Sequence, residues 1–121
     1  MKFCWSTLTV SDMATSLSFY KEIVGLEIDN QMQVGNGTQI VFLGKGETKV
    51  ELICHGGKKE TDMGKDISLG FEVPSLDKQL ALVQEKGIAV TSGPFQPNPF
   101  IRFFYVSDPD GLSIQFVEQL R

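Results

Sequence analysis

The two halves of this chain repeat each other at an offset of roughly 63 residues, and that repeat limits the fold more than any other feature. Val10 falls on Val73, Gly25 nearly on Gly87, and Val50-Glu51-Leu52 on Ile114-Gln115-Phe116. Hydrophobic period gives the first half a strand over 2–10 and then a helix. Ser11 and Asp12 offer capping side chains, Met13, Leu17, Tyr20 and Val24 recur at helical spacing, and Gly25 supplies the left-handed close. Three strands follow over 26–33, 39–43 and 49–55, separated by Gly35-Asn36-Gly37 and Gly44-Lys45-Gly46-Glu47. The second half runs in the same order. A strand over 67–73 precedes a helix capped by Ser75 that carries Leu76, Leu80 and Val83 and stops at Gly87. A short strand over 88–91 leads to a stiff, proline-rich loop from Gly93 to Phe100, expected over the mouth of a cleft. Strands over 100–106 and 112–117 close the half, joined by the turn Asp108-Pro109-Asp110-Gly111.

Two βαβββ modules, about 1–56 and 66–121 with a polar linker over 56–66, make a single domain over 1–121. The predicted class is α+β: the modules, side by side, curl their sheets into an open, incomplete mixed β-barrel with the helices on the convex face. Alternation along each strand then divides the side chains. Leu8, Val10, Val50, Leu52 and Cys54 face the helices in the first module, as do Ile67, Leu69, Phe71, Val73, Ile114 and Phe116 in the second. Phe3, Trp5, Thr7, Glu51, Ser68 and Gln115 point into the concave cleft, with Phe103 or Tyr105 as an added wall. Trp5, Glu51, Ser68 and Gln115 are paired by the repeat and are expected to converge on the cleft floor.

Composition excludes several classes of partner. Eleven Lys and Arg against fifteen Asp and Glu give a net charge of −4, the wrong sign for a protein that neutralises phosphates, so no nucleic-acid partner is expected. Uninterrupted apolar runs such as Ile40-Val41-Phe42-Leu43 are about four residues long, far short of a membrane span. The first residues hold no apolar stretch of signal-peptide length, which points to the cytoplasm. Cys4 and Cys54 lie in strand-like segments without CxxC spacing and are expected as buried thiols.

Leu8-x-Val10-x-Asp12-x-x-x-Ser16-x-x-Phe19-Tyr20, then Gly25-Leu26, Val50-Glu51-Leu52 and Asp108-Pro109-Asp110-Gly111 before a strand form an ordered set of motifs. In order and spacing the set resembles the vicinal oxygen chelate superfamily: glyoxalase I, the bleomycin-resistance proteins, the extradiol dioxygenases and their relatives. The resemblance covers both modules and implies the paired βαβββ fold. In metal-dependent members four cleft-facing positions each give a His or Glu to a divalent ion, and those positions map onto Trp5, Glu51, Ser68 and Gln115. Only Glu51 carries a ligand of the family type. An indole N–H has no available lone pair, and a neutral hydroxyl and an amide oxygen are poor partners for zinc or nickel. His55, the only histidine, is four residues along the strand from Glu51, roughly 13 Å away, and reads as solvated. No metal or other cofactor is expected.

The reading that follows is a glyoxalase/bleomycin-resistance-like protein with a degenerate metal site that binds a small, partly aromatic or apolar molecule without a metal, as a homodimer. Phe3, Trp5, Thr7, Glu51, Ser68, Phe103, Tyr105 and Gln115 are its candidate ligand contacts, and Glu51 its one candidate catalytic group. A plainer alternative has Trp5 plug the cleft and Glu51 serve as a structural group hydrogen-bonded to Gln115. Whether the chain is an enzyme stays open. The competing functions are a lyase or isomerase of the glyoxalase type, similar to lactoylglutathione lyase, and a non-catalytic regulatory subunit of the same fold.

Overall fold

Each half of the repeat folds into a four-stranded mixed sheet with one helical segment against it. The computed structural model describes residues 1–46, 48–56 and 60–120. They fall into two units, Met1–Met63 and Gly64–Arg121. The first holds β1 (Trp5–Thr9), α1 (Met13–Ser18) running on into a π-helical turn (Phe19–Ile23), β2 (Ile28–Val34), β3 (Thr38–Leu43) and β4 (Lys49–Cys54). The second holds β5 (Ser68–Glu72), α2 (Leu76–Glu85), β6 (Ser92–Asn98), β7 (Ile101–Ser107) and β8 (Ser113–Gln119). Strand order is β1-β4-β3-β2 in one and β5-β8-β7-β6 in the other. In each sheet the first strand runs parallel to the last, and the remaining pairs are antiparallel. The chain is therefore α+β and built of two βαβββ units, the arrangement the repeat predicts.

In the first unit Leu8, Val10, Val41, Leu43, Val50 and Leu52 are buried on the sheet face that meets the helical segment. Asp12 caps that segment, its carboxylate accepting the Thr15 amide at 2.9 Å, and Gly25 ends it at φ +85°, a conformation costly for any residue with a Cβ. The inward stripe differs from the expected one. Met13, Ser16, Phe19, Tyr20 and Ile23 are buried, while Leu17 and Val24 are only half-buried. Ser16, small and fully buried, takes the inward place that periodicity gave to Leu17. Beyond it the chain turns π-helical, and Phe19, Tyr20 and Ile23 of that turn are buried.

The second unit packs Leu76 and Val83 of α2 with Phe104, Val106, Leu112, Ile114 and Phe116, all at most 1% exposed. The turn before β8 is held by Asp108, whose buried carboxylate accepts the amides of Asp110 at 2.8 Å and Leu112 at 2.9 Å. Gly111 completes it at φ +90°.

Several expectations need correction. No strand forms over 88–91, and the proline-rich stretch is itself a strand, β6. It lies at the sheet edge and pairs with β7 at Ser92, Phe95 and Asn98, with register shifts between them. Pro94 and Pro97 fall in those shifts, where the ladder asks for no N–H. Ile67 is 55% exposed because it precedes β5 instead of lying in it, and Cys4, just before β1, is exposed too. Cys54 is half-buried, its thiol directed to the Ser11 carbonyl at 3.8 Å. Glu47 of the predicted turn and Gly57, Lys58 and Lys59 of the predicted linker lie outside the described residues.

Candidate functional site

In each unit the helical segment covers one face of the sheet, and the chemistry-bearing side chains gather on the other. On the first sheet, register sets Thr7, Glu51 and Phe42 side by side on β1, β4 and β3. Alternation carries Leu8, Leu52 and Val41 of these strands into the core and leaves this row on the opposite face. The Thr7 hydroxyl donates to the Glu51 carboxylate at 2.5 Å. One step along β1, the indole of Trp5 meets the ring of Phe42 with centroids 5.0 Å apart and planes at 65°, an edge-to-face geometry. Trp5 keeps 45% of its surface exposed. Lys49, opposite Trp5 in the register, forms an ion pair with Asp29 at 2.6 Å.

On the second sheet Ser68, Gly70, Gln115, Tyr105 and Phe103 share the uncovered face, with Phe95 beside them at the edge. Gln115 donates through Nε2 to the Tyr105 phenol oxygen at 3.2 Å, leaving the phenol proton available to another acceptor. Phe103 links this pair to the edge strand, 5.9 Å from the Tyr105 ring and 5.6 Å from the Phe95 ring. Gly70 is matched to Gln115: a Cβ there would stand 3.0 Å from the glutamine Oε1.

The predicted site residues thus sit as two sets. Trp5, Thr7 and Glu51 share one face of the first sheet, and Ser68, Phe103, Tyr105 and Gln115 share one face of the second. Phe3 precedes β1 and is exposed. Each unit makes a local side-chain bond, Thr7 to Glu51 in the first and Gln115 to Tyr105 in the second, because strand register puts those partners next to each other. The ring against Trp5 is Phe42, which the sequence reading does not include among the site residues. Alternation over Thr38–Leu43, with Val41 and Leu43 buried, is the signal that places it on the same face.

A hollow of about 400 Å³ lies on the other side of the first sheet, between α1 and the β2–β3 hairpin. Met13, Leu17, Val41, Gln31 and Gln33 line it with amides, alkyl groups and a thioether, so these residues offer no acid or base. Among the described residues no three His, Cys, Asp or Glu side chains come together in a way that would hold a metal ion.

Residues 3–116 match the family model described as the Glyoxalase/Bleomycin resistance protein/Dioxygenase superfamily. Among curated proteins, the chain is 29% identical to the uncharacterized protein YraH of Bacillus subtilis, over 99% of this chain and all of that one. It is 26% identical to a lactoylglutathione lyase of Salmonella typhimurium, over 98% of this chain and 93% of the lyase. Among solved structures, TnmS3, an antibiotic binding protein from Streptomyces sp. CB03234, superposes with a TM-score of 0.76 at 24% identity, covering 98% of this chain and 96% of that one.

Proposed function

The chain belongs to the glyoxalase/bleomycin resistance protein/dioxygenase superfamily, and from that premise we propose that it binds a small, partly aromatic or apolar molecule without a metal ion. The observation that carries this reading is the donor chemistry of Trp5, Glu51, Ser68 and Gln115. One strong metal donor stands among the four, and one oxygen of its carboxylate already accepts the Thr7 hydroxyl. An indole cannot coordinate, and a hydroxyl with an amide does not replace two imidazoles or carboxylates. The residues present do not fit the family's divalent ion, so no reaction step is drawn through one. Their surroundings suit a ligand with a flat apolar part: Trp5 and Phe42 on one sheet, and Phe95, Phe103 and Tyr105 on the other, each set beside a hydrogen-bonding group. That a protein of the same fold binds an antibiotic supports the reading.

In this proposal the protein is a homodimer of the cytoplasm with no nucleic-acid partner, in keeping with its net charge of −4. Among the described residues no helix is long and apolar enough to cross a membrane. A second reading, a lyase or isomerase of the glyoxalase type, draws on the 26% identity to lactoylglutathione lyase; there Glu51 is the acid or base. Calorimetry with zinc and with nickel separates the two. The first predicts no saturable one-to-one heat, whereas micromolar or tighter binding would establish a working metal centre and overturn it. If neither metal nor any small molecule binds, a regulatory subunit of the same fold remains.

A further inference from the structure

Resting on that reading of the first sheet, we propose that its uncovered face binds an organic ammonium cation between the indole of Trp5, the ring of Phe42 and the carboxylate of Glu51. Strands β1 and β3 flank β4, so the backbones bearing the two rings stand about 9–10 Å apart. Their centroids are nevertheless 5.0 Å apart. The rings therefore lean together over β4, above the step between Lys49 and Glu51. At 65° they form a two-walled corner, and Trp5 keeps nearly half of its surface exposed.

The charge of this face decides which ligand suits the corner. Lys49 and Asp29 neutralise each other at 2.6 Å. Glu51 accepts one hydrogen bond from a neutral hydroxyl, which satisfies an oxygen without cancelling its charge, and among the described residues it has no cationic partner. A half-exposed indole, a second aromatic ring against it and an unneutralised carboxylate all attract a weakly hydrated cation. A bare metal ion would need more oxygen or nitrogen donors than this face holds, and an anion would be repelled. A methylated ammonium meets both requirements, since its alkyl surface covers the rings and its charge faces the carboxylate.

Trp5 is the only tryptophan, so intrinsic emission reports this corner directly. The probes are choline and its neutral isostere 3,3-dimethylbutan-1-ol, titrated through the millimolar range. Choline is expected to change the emission saturably, with the isostere about tenfold weaker or more. Glu51→Gln is expected to weaken choline about tenfold and leave the isostere unchanged, with circular dichroism verifying its fold. Phe42→Leu tests the second wall in the same way, with choline again the ligand weakened. Equal affinity for the two probes, with Glu51→Gln inert, would overturn the cation while leaving a neutral apolar ligand in place. No response to choline would overturn it as well. Tight zinc or nickel binding would instead remove the metal-free reading beneath it.

Discussion

At the scale of single residues, hydrogen bonds that look incidental in the sequence carry distinct loads. Asp108 is 4% exposed, and one of its carboxylate oxygens accepts two backbone amides. Asp108→Ala leaves both donors without that acceptor inside the turn and is expected to cost about 2–3 kcal/mol in urea unfolding. Asp108→Asn keeps an acceptor oxygen and should lose less than half as much. Thr7→Val removes the donor to Glu51 on a face that water reaches, so the loss should stay near 1 kcal/mol or below by the same measurement. Alternation in the sequence is enough to put Thr7, Glu51 and Trp5 on one face, because side chains change face at every residue of a strand. Which neighbour each side chain bonds depends on register, and register comes from pairing between residues 44 apart in the sequence.

Among the elements, the helices were the most legible and the edge strand the least. Ser75 caps α2 by accepting the Lys78 amide at 3.2 Å, and Ser75→Ala should cost about 1 kcal/mol and raise hydrogen exchange at Lys78. Ser75→Asp should retain stability, since aspartate caps as well. Gly25→Ala forces a Cβ into φ +85° and is expected to cost about 1–2 kcal/mol, read as a lowered melting temperature, although nothing stands within 4 Å of the new methyl. These signals are local, so sequence carries them. Strand β6 is another matter. Three prolines in six residues argue against a strand wherever both sides must hydrogen-bond. At an edge paired only at Ser92, Phe95 and Asn98, Pro94 and Pro97 fall where the ladder is already interrupted and blunt the edge against further pairing, and Pro99 lies beyond the strand.

For the whole molecule, the proposed metal-free binding is measurable as linkage. A ligand that binds only the folded chain at a hundredfold excess over its dissociation constant adds about 2.7 kcal/mol of stability. In a chain this small, that is a rise of several degrees in melting temperature. Zinc or nickel at such an excess over a micromolar constant is expected to leave the melting temperature unchanged. A rise of several degrees would place a working ion in the protein.

The amino-acid order by itself determined the repeat, the element order of the first unit, the caps and turns, and which face of β1, β4, β5 and β8 meets the core. Those follow from periodicity and from φ restrictions that act within a few residues. Tertiary structure alone decided that Ser16 and not Leu17 goes inward, that the prolines of β6 are tolerated, and that Trp5 rests against Phe42 while Glu51 takes its hydrogen bond from Thr7. Each of these depends on which strand lies beside which. That choice is made by packing between distant segments, where no local rule reaches.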